Sequence, residues 1–359
     1  MERRKLVKGA LSTGSLAASA LAFPQYLRAS SRVYKFRLVM VVPKTLPLWG
    51  EGVLRFANDI REMTGGNLQI KVYGAGELVP ALQCFDVVKS GAVDMAHSAA
   101  YYWQGKMPAS PLFTSIPFGM TTSGMNAWLE YEGQQLWDKL YSPHEVFALP
   151  AGNTGTQMGG WFNRKINRVE DFKGLKMRIP GLGGRVLQSL GGKPTLVAGG
   201  EIYTNLATGV IDATEWVGPY HDYIMGFHKV AKYYYYPGWH EAGPTLELLI
   251  NKRSWNKIPK EYQQIVRHAA ASLNARMYHQ WLGKDSEYIE KLRKEKSVLI
   301  LPFPQEVLRA LMTRSYEIRR EVAGTSPLAT EIFQSFERFS NKYTKYQMVS
   351  EGAYWDAIK

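Results

Sequence analysis

Arg178 closes the run Gly174-Leu175-Lys176-Met177-Arg178-Ile179, a strand pattern that feeds a glycine-rich turn. A guanidinium at such a strand end can hold a carboxylate through two parallel hydrogen bonds, which a lysine cannot do. The alternative is an arginine that snorkels or is tied up in an internal salt bridge. Gln157 lies in Gly155-Thr156-Gln157-Met158-Gly159-Gly160-Trp161, where glycines permit close approach of a ligand or of another backbone. Glu215-Trp216 follows Ile211-Asp212-Ala213-Thr214, so a carboxylate and an indole emerge at the carboxyl end of a predicted strand, the end at which open α/β sheets bind ligands. Tyr101-Tyr102-Trp103 follows another predicted strand, and Tyr233 to Tyr236 with Pro237-Gly238-Trp239-His240-Glu241 forms a second aromatic run that ends in a carboxylate. A buried carboxylate is costly unless it is paired, protonated or bound to a metal. Glu215 and Glu241 beside the neutral amide oxygen of Gln157 would make a hard-oxygen site for a cation.

Other chemistry is absent from the sequence. Ile179-Pro180-Gly181-Leu182-Gly183-Gly184-Arg185-Val186 invites a dinucleotide reading, but the third glycine of G-x-G-x-x-G falls on Val186, whose side chain would obstruct helix–strand packing. No phosphate-binding G-x-x-x-x-G-K-[ST], zinc-protease H-E-x-x-H or hydrolase G-x-S-x-G occurs. Cys84 is the single cysteine, so neither an intrachain disulfide nor a cysteine-built metal centre can form. The histidines show no ligand spacing and read as surface or internally satisfied residues.

The elements that must position these residues alternate between strand and helix patterns, which indicates an α/β protein. Strands are predicted at 33–42, 68–73, 93–97, 146–150, 156–162, 175–179, 195–198, 211–215 and 245–251, with helices at 50–63 and 82–90. Gly152-Asn153-Thr154-Gly155 and Ala242-Gly243-Pro244 each lead into an apolar strand, as expected of two crossings between lobes. Beyond Pro259 the pattern is helical: Tyr262, Val266, Ala269, Leu273, Met277 and Trp281 recur every three or four residues and mark one face of a long helix. A terminal helix carries Ile332, Phe336, Phe339 and Tyr343 at similar spacing, a stripe suited to a partner subunit. The predicted organisation is lobe I over 33–155 and 244–320 with the long helix, lobe II over 156–243, and a helical dimerisation segment over 325–359.

The chain has 359 residues, 45% of them hydrophobic, and a net charge of +13. This is the composition of a globular protein, and the length suggests two domains or one large one. It opens Met1-Glu2-Arg3-Arg4-Lys5-Leu6-Val7-Lys8 and continues through a weakly apolar, small-residue stretch to Ala20-Leu21-Ala22. Paired arginines, a stretch too short to span a bilayer and an A-x-A end predict a twin-arginine signal peptide over 1–22, with the mature chain starting near Phe23 in the periplasm. Cleavage removes Arg3, Arg4, Lys5, Lys8 and Glu2 and lowers the net charge by three. Export and the lack of any helix-turn-helix, zinc-finger or RNA-binding motif exclude nucleic acid as the expected partner.

From about Val33 onward the sequence resembles the periplasmic solute-binding subunits of tripartite ATP-independent periplasmic (TRAP) transporters, and among them the subgroup that binds 2-oxo monocarboxylates such as pyruvate. The resemblance is carried by Gly74-Ala75-Gly76-Glu77-Leu78-Val79-Pro80, Gln157-Met158-Gly159-Gly160-Trp161-Phe162, Gly174-Leu175-Lys176-Met177-Arg178, the run from Ile211 to Tyr220 and the run from Tyr233 to Trp239. It implies a non-enzymatic binding protein of two α/β lobes joined by crossing strands and a long helix, closing on a small carboxylate for delivery to membrane permease subunits. It further implies that Arg178 grips the ligand carboxylate, that Gln157, Glu215, the Trp216 main-chain carbonyl and Glu241 hold a bridging cation, that Tyr101 and Tyr102 line the pocket, and that C-terminal helices build a homodimer. For the cation the resemblance points to sodium over calcium, whereas two acidic ligands favour a divalent ion by charge. Lactate and other 2-hydroxy acids are alternative ligands, and a twin-arginine-exported enzyme is the alternative from another functional class. The sequence departs from the subgroup at His97 to Ala100 with Trp103-Gln104, where a longer tyrosine run is expected, and at His240, where an aromatic is expected.

Overall fold

The computed structural model describes residues 32–358, so the predicted signal peptide lies outside the described residues. Among the described residues, eleven strands form two sheets. The first, in the order β2-β1-β3-β10-β4, contains β1 (Tyr34–Met40), β2 (Leu68–Tyr73), β3 (Met95–Ser98), β4 (Val146–Asn153) and β10 (Thr245–Asn251). Its first three strands run parallel and β10 is antiparallel to both β3 and β4. The second, in the order β11-β9-β5-β8-β6-β7, contains β5 (Gly160–Phe162), β6 (Lys176–Arg178), β7 (Lys193–Thr195), β8 (Ala213–Thr214), β9 (Tyr233–Tyr236) and β11 (Leu299–Pro302). This is a two-lobed α/β fold, as the alternating pattern predicts.

The chain passes between the sheets from β4 to β5 and from β9 to β10, and the helix Lys260–Lys294 spans them. Tyr262, Val266, Ala269, Leu273, Met277 and Trp281 are all buried. They face β4, the helix Trp49–Met63 and the helix Pro219–Ile224. β11 lies within 244–320, the range the sequence assigns to lobe I, yet pairs with β9 in the second sheet, because the long helix carries the chain back across. The predicted strand at 156–162 is regular only from Gly160, since Gln157, Met158 and Gly159 donate their N–H groups to Glu241, Val217 and Tyr235 respectively, with no continuous ladder.

The stripe of the terminal helix Pro327–Val349 packs within its own chain, contrary to the expectation of a partner surface. Ile332 and Phe336 are fully buried, Phe336 meets Trp128 edge-on at 5.3 Å, and the Tyr343 hydroxyl lies 3.2 Å from Thr121 Oγ1. Intrachain packing satisfies this face because the helix Thr122–Trp128 lies directly against it. The exposed apolar residues lie beyond it: Tyr346, Met348, Val349, Tyr354, Trp355 and Ile358 are 56–77% exposed.

β10 is buried along its whole length and carries Glu247, fully buried, whose two oxygens accept from Trp103 Nε1 at 2.7 Å and Tyr141 Oη at 2.8 Å. Burial pushes its carboxyl up to about 7 from 4.5, and the two donors only partly oppose this. The folded chain therefore keeps a proton that the unfolded chain releases at lower pH, so this group's contribution to stability falls as pH rises from about 4.5 to about 7. Glu247→Gln is expected to remove that slope, up to about 1.4 kcal/mol per pH unit. Urea unfolding of wild type and variant across the window checks it, and parallel stability curves would exclude it.

Candidate functional site

The carboxyl end of β6 presents Arg178, and the carboxyl end of the neighbouring β8 presents Glu215 and Trp216. Parallel pairing of the two strands sets Arg178 opposite Thr214, one residue before Glu215. Arg178 Nη1 donates to Glu215 Oε1, and the guanidinium stands 5.3 Å from the Trp216 ring centroid. From the first sheet, the turn Ala100–Trp103 after β3 brings Tyr102 Oη to 3.5 Å from Arg178 Nη2, with Tyr101 edge-on to Tyr102 at 4.7 Å. The crossing segments supply the rest. Gln157 N donates to Glu241 O and Gly238 N to Gln157 O, and this backbone pairing sets the side chains together so that Gln157 Nε2 donates to Glu241 Oε2 at 2.8 Å.

Gln157, Arg178, Glu215, Trp216, Tyr101, Tyr102 and Glu241 therefore converge between the two sheets, whereas Trp103 bonds Glu247 and Tyr234 bonds Asp222. Gln157, Arg178, Glu215, Trp216, Tyr101 and Glu241 are buried and Tyr102 is partly buried. The glycine run that fails as a nucleotide motif has a packing role here. Gly181, at φ 60°, and Gly183 let Tyr101 and His240 come close, since a Cβ at either position would lie 3.0–3.1 Å from the Cβ of those residues.

Electrostatics make the site unusual. Burial and the nearby Glu215 carboxylate hold Glu241 well above the usual carboxylate range, against the pull of Arg178 and Gln157. Burial alone would lower Arg178, but Glu215, Tyr102, Tyr101 and Glu241 together more than offset it and the guanidinium stays charged. Burial likewise raises Tyr101 and Tyr102, so both are neutral hydroxyls. One guanidinium faces two carboxylates, and Gln157 Oε1 is buried without a hydrogen-bond partner. With both glutamates ionised, an additional carboxylate would leave three anionic groups against one cation. The oxygens of Gln157, Glu215 and Glu241 suit a hard metal ion, which would both supply the missing charge and satisfy the orphaned acceptor.

Two residues escape the sequence-level reading, and a third, His240, enters it only as a departure from the resemblance. His240 is buried with Nε2 3.3 Å from Glu215 Oε2. Trp49 stacks on Trp216 with ring centroids 6.2 Å apart, and its Nε1 donates to His97 Nδ1 at 3.0 Å, which fixes the His97 proton on Nε2 for donation to Ala151 O. His221, from the helix Pro219–Ile224, lies 2.7 Å through Nε2 from the carbonyl of Pro47 in the loop before Trp49. His240 adjoins Glu241 in sequence and was open to notice there; the other two depend on contacts between distant segments.

The profile of the bacterial extracellular solute-binding proteins, family 7, matches residues 38–325. A monocarboxylate 2-oxoacid-binding periplasmic protein of Nostoc sp. is 39% identical over 99% of this chain and 98% of its own length. Among solved structures, a TRAP periplasmic solute-binding protein from Colwellia psychrerythraea with bound calcium and pyruvate is 40% identical, with a TM-score of 0.88 over 91% of this chain and 100% of that one. Another from Pseudoalteromonas atlantica, with bound sodium and pyruvate, is 38% identical with a TM-score of 0.89 over the same shares. The chain belongs to family 7 of the bacterial extracellular solute-binding proteins and is a TRAP solute-binding protein.

Proposed function

We propose that this chain captures a 2-oxo monocarboxylate of about pyruvate's size in the periplasm and delivers it, chemically unchanged, to TRAP membrane subunits. The observation that carries this reading is the buried site with one guanidinium, two carboxylates and an orphaned amide oxygen. Arg178 holds the ligand carboxylate. Gln157 Oε1, the carboxylates of Glu215 and Glu241 and the Trp216 main-chain carbonyl hold a cation, which would supply positive charge to the ligand's carboxylate and 2-oxo oxygens. Tyr101 and Tyr102 wall the site and exclude water, which strengthens each charge interaction. Lobe I, 33–155 with most of 244–320, closes on lobe II, 156–243, and only a ligand that favours the closed state drives that closure.

Sodium is the ion the sequence resemblance favours. Counting charges across Arg178, two glutamates and a ligand carboxylate favours calcium, because a divalent ion neutralises the set. Twin-arginine export delivers the folded protein, and two copies pair through the exposed apolar surface from Tyr346 to Ile358. Native mass spectrometry of the purified chain with pyruvate or succinate added tests these points together. The expected species is a dimer carrying one pyruvate and one divalent cation per chain, with no succinate retained. A monomer would exclude the pairing, and equal retention of succinate would exclude selection for a monocarboxylate.

A further inference from the structure

His240 is 2% exposed, and neither of its ring nitrogens has a hydrogen-bond partner. A buried imidazole without a well-formed hydrogen bond is costly, and apart from a protonated pair with Glu215 a bound ion is the group that would satisfy it. Its Nε2 is 3.3 Å from Glu215 Oε2, and His240, Glu215 and Glu241 each offer a ligand atom within 4.8 Å of the others. Two donors that hold one ion at about 2.1–2.3 Å and at a right angle stand about 3.0–3.3 Å apart, so the nitrogen and the carboxylate oxygen are spaced as one edge of a coordination polyhedron. The ring is held in place: Trp239 lies edge-on to it at 5.5 Å, Ser115 Oγ is 3.5 Å from its main-chain carbonyl, and Gly183 leaves the space its Cβ occupies.

We propose that His240 donates an imidazole nitrogen to the cation site, so that this chain takes a first-row divalent metal ion such as Mn2+ or Zn2+ in preference to an alkali or alkaline-earth ion. The proposal rests on the cation site described above. Carboxylate and amide oxygens alone suit hard ions, whereas an added neutral imidazole raises affinity for borderline ions much more than for calcium. The full chain, stripped of metal, is titrated calorimetrically with Ca2+, Mn2+ and Zn2+ as wild type, His240→Phe, His240→Gln and Glu241→Gln, with thermal melting as the folding control. Both histidine variants are expected to lose at least about tenfold in Zn2+ affinity and to keep Ca2+ affinity within about twofold. Pulsed electron paramagnetic resonance of the Mn2+-loaded wild type is expected to show nitrogen modulation that His240→Phe abolishes. Ca2+ binding that depends on Glu241, with Zn2+ affinity unchanged in both histidine variants, overturns the role of His240 and leaves the cation site standing. An equal loss for Ca2+ and Zn2+ also overturns it, since His240 would then only shape the pocket. Failure of every ion to bind wild type overturns both readings.

Discussion

Arg178→Ala is expected to reduce pyruvate affinity by about two to four orders of magnitude. The estimate follows from two charge-assisted hydrogen bonds of about 1.5–3 kcal/mol each in a water-excluded site. The geometry makes this residue hard to replace. Arg178 is 1% exposed, it ends a strand whose neighbour supplies Glu215, and its guanidinium is stacked near Trp216. Removing it also leaves Glu215 buried without its ion-pair partner, so the variant is expected to melt at lower temperature. Arg178→Lys separates charge from geometry: a point charge remains but the planar fork is lost, and an intermediate loss of at least about tenfold is expected. Isothermal titration at saturating cation reads both variants, and Arg178→Ala binding within about threefold of wild type would remove this arginine from the site.

The residues visible from sequence alone are those whose local context is anomalous. Arg178 and Glu215 are charges at the ends of apolar runs, and no strand-forming reason accounts for them. Strands bounded by clear turns were equally legible: Leu68–Tyr73 and Thr245–Asn251 have the bounds the pattern predicts. β9 was harder, because four consecutive tyrosines show no alternation, although Tyr234 and Tyr235 are buried and Tyr236 is exposed. β11 is four residues at a sheet edge and is specified by pairing with β9. The orientation of the terminal helix depends on a surface supplied by Trp128 and Thr121, far away in sequence, so its spacing showed an apolar face without showing what covers it. His240 has the same difficulty on a smaller scale: only the fold brings its ring to Glu215.

Removal of the proposed cation is expected to weaken pyruvate binding by about 100-fold, at the upper end of ordinary coupling between two sites. The reason lies in the charge balance of the closed site. Without the ion, a ligand carboxylate enters beside Glu215 and Glu241 with Arg178 as the single compensating charge, and Arg178 is already paired with Glu215. Gln157 Oε1 also stays unsatisfied. Linkage makes the prediction two-sided, because pyruvate must raise the affinity for the ion by the same factor that the ion raises the affinity for pyruvate. Titrating pyruvate into chelator-treated protein in a sodium-free buffer, and then the ion into pyruvate-saturated protein, measures both arms. Glu241→Gln removes one anionic donor while keeping a similar shape, so it should weaken both arms together. If pyruvate binds stripped protein as tightly as loaded protein, the carboxylate is held by Arg178 and the tyrosine hydroxyls alone, and the two buried glutamates serve the closure of the lobes in place of the ligand.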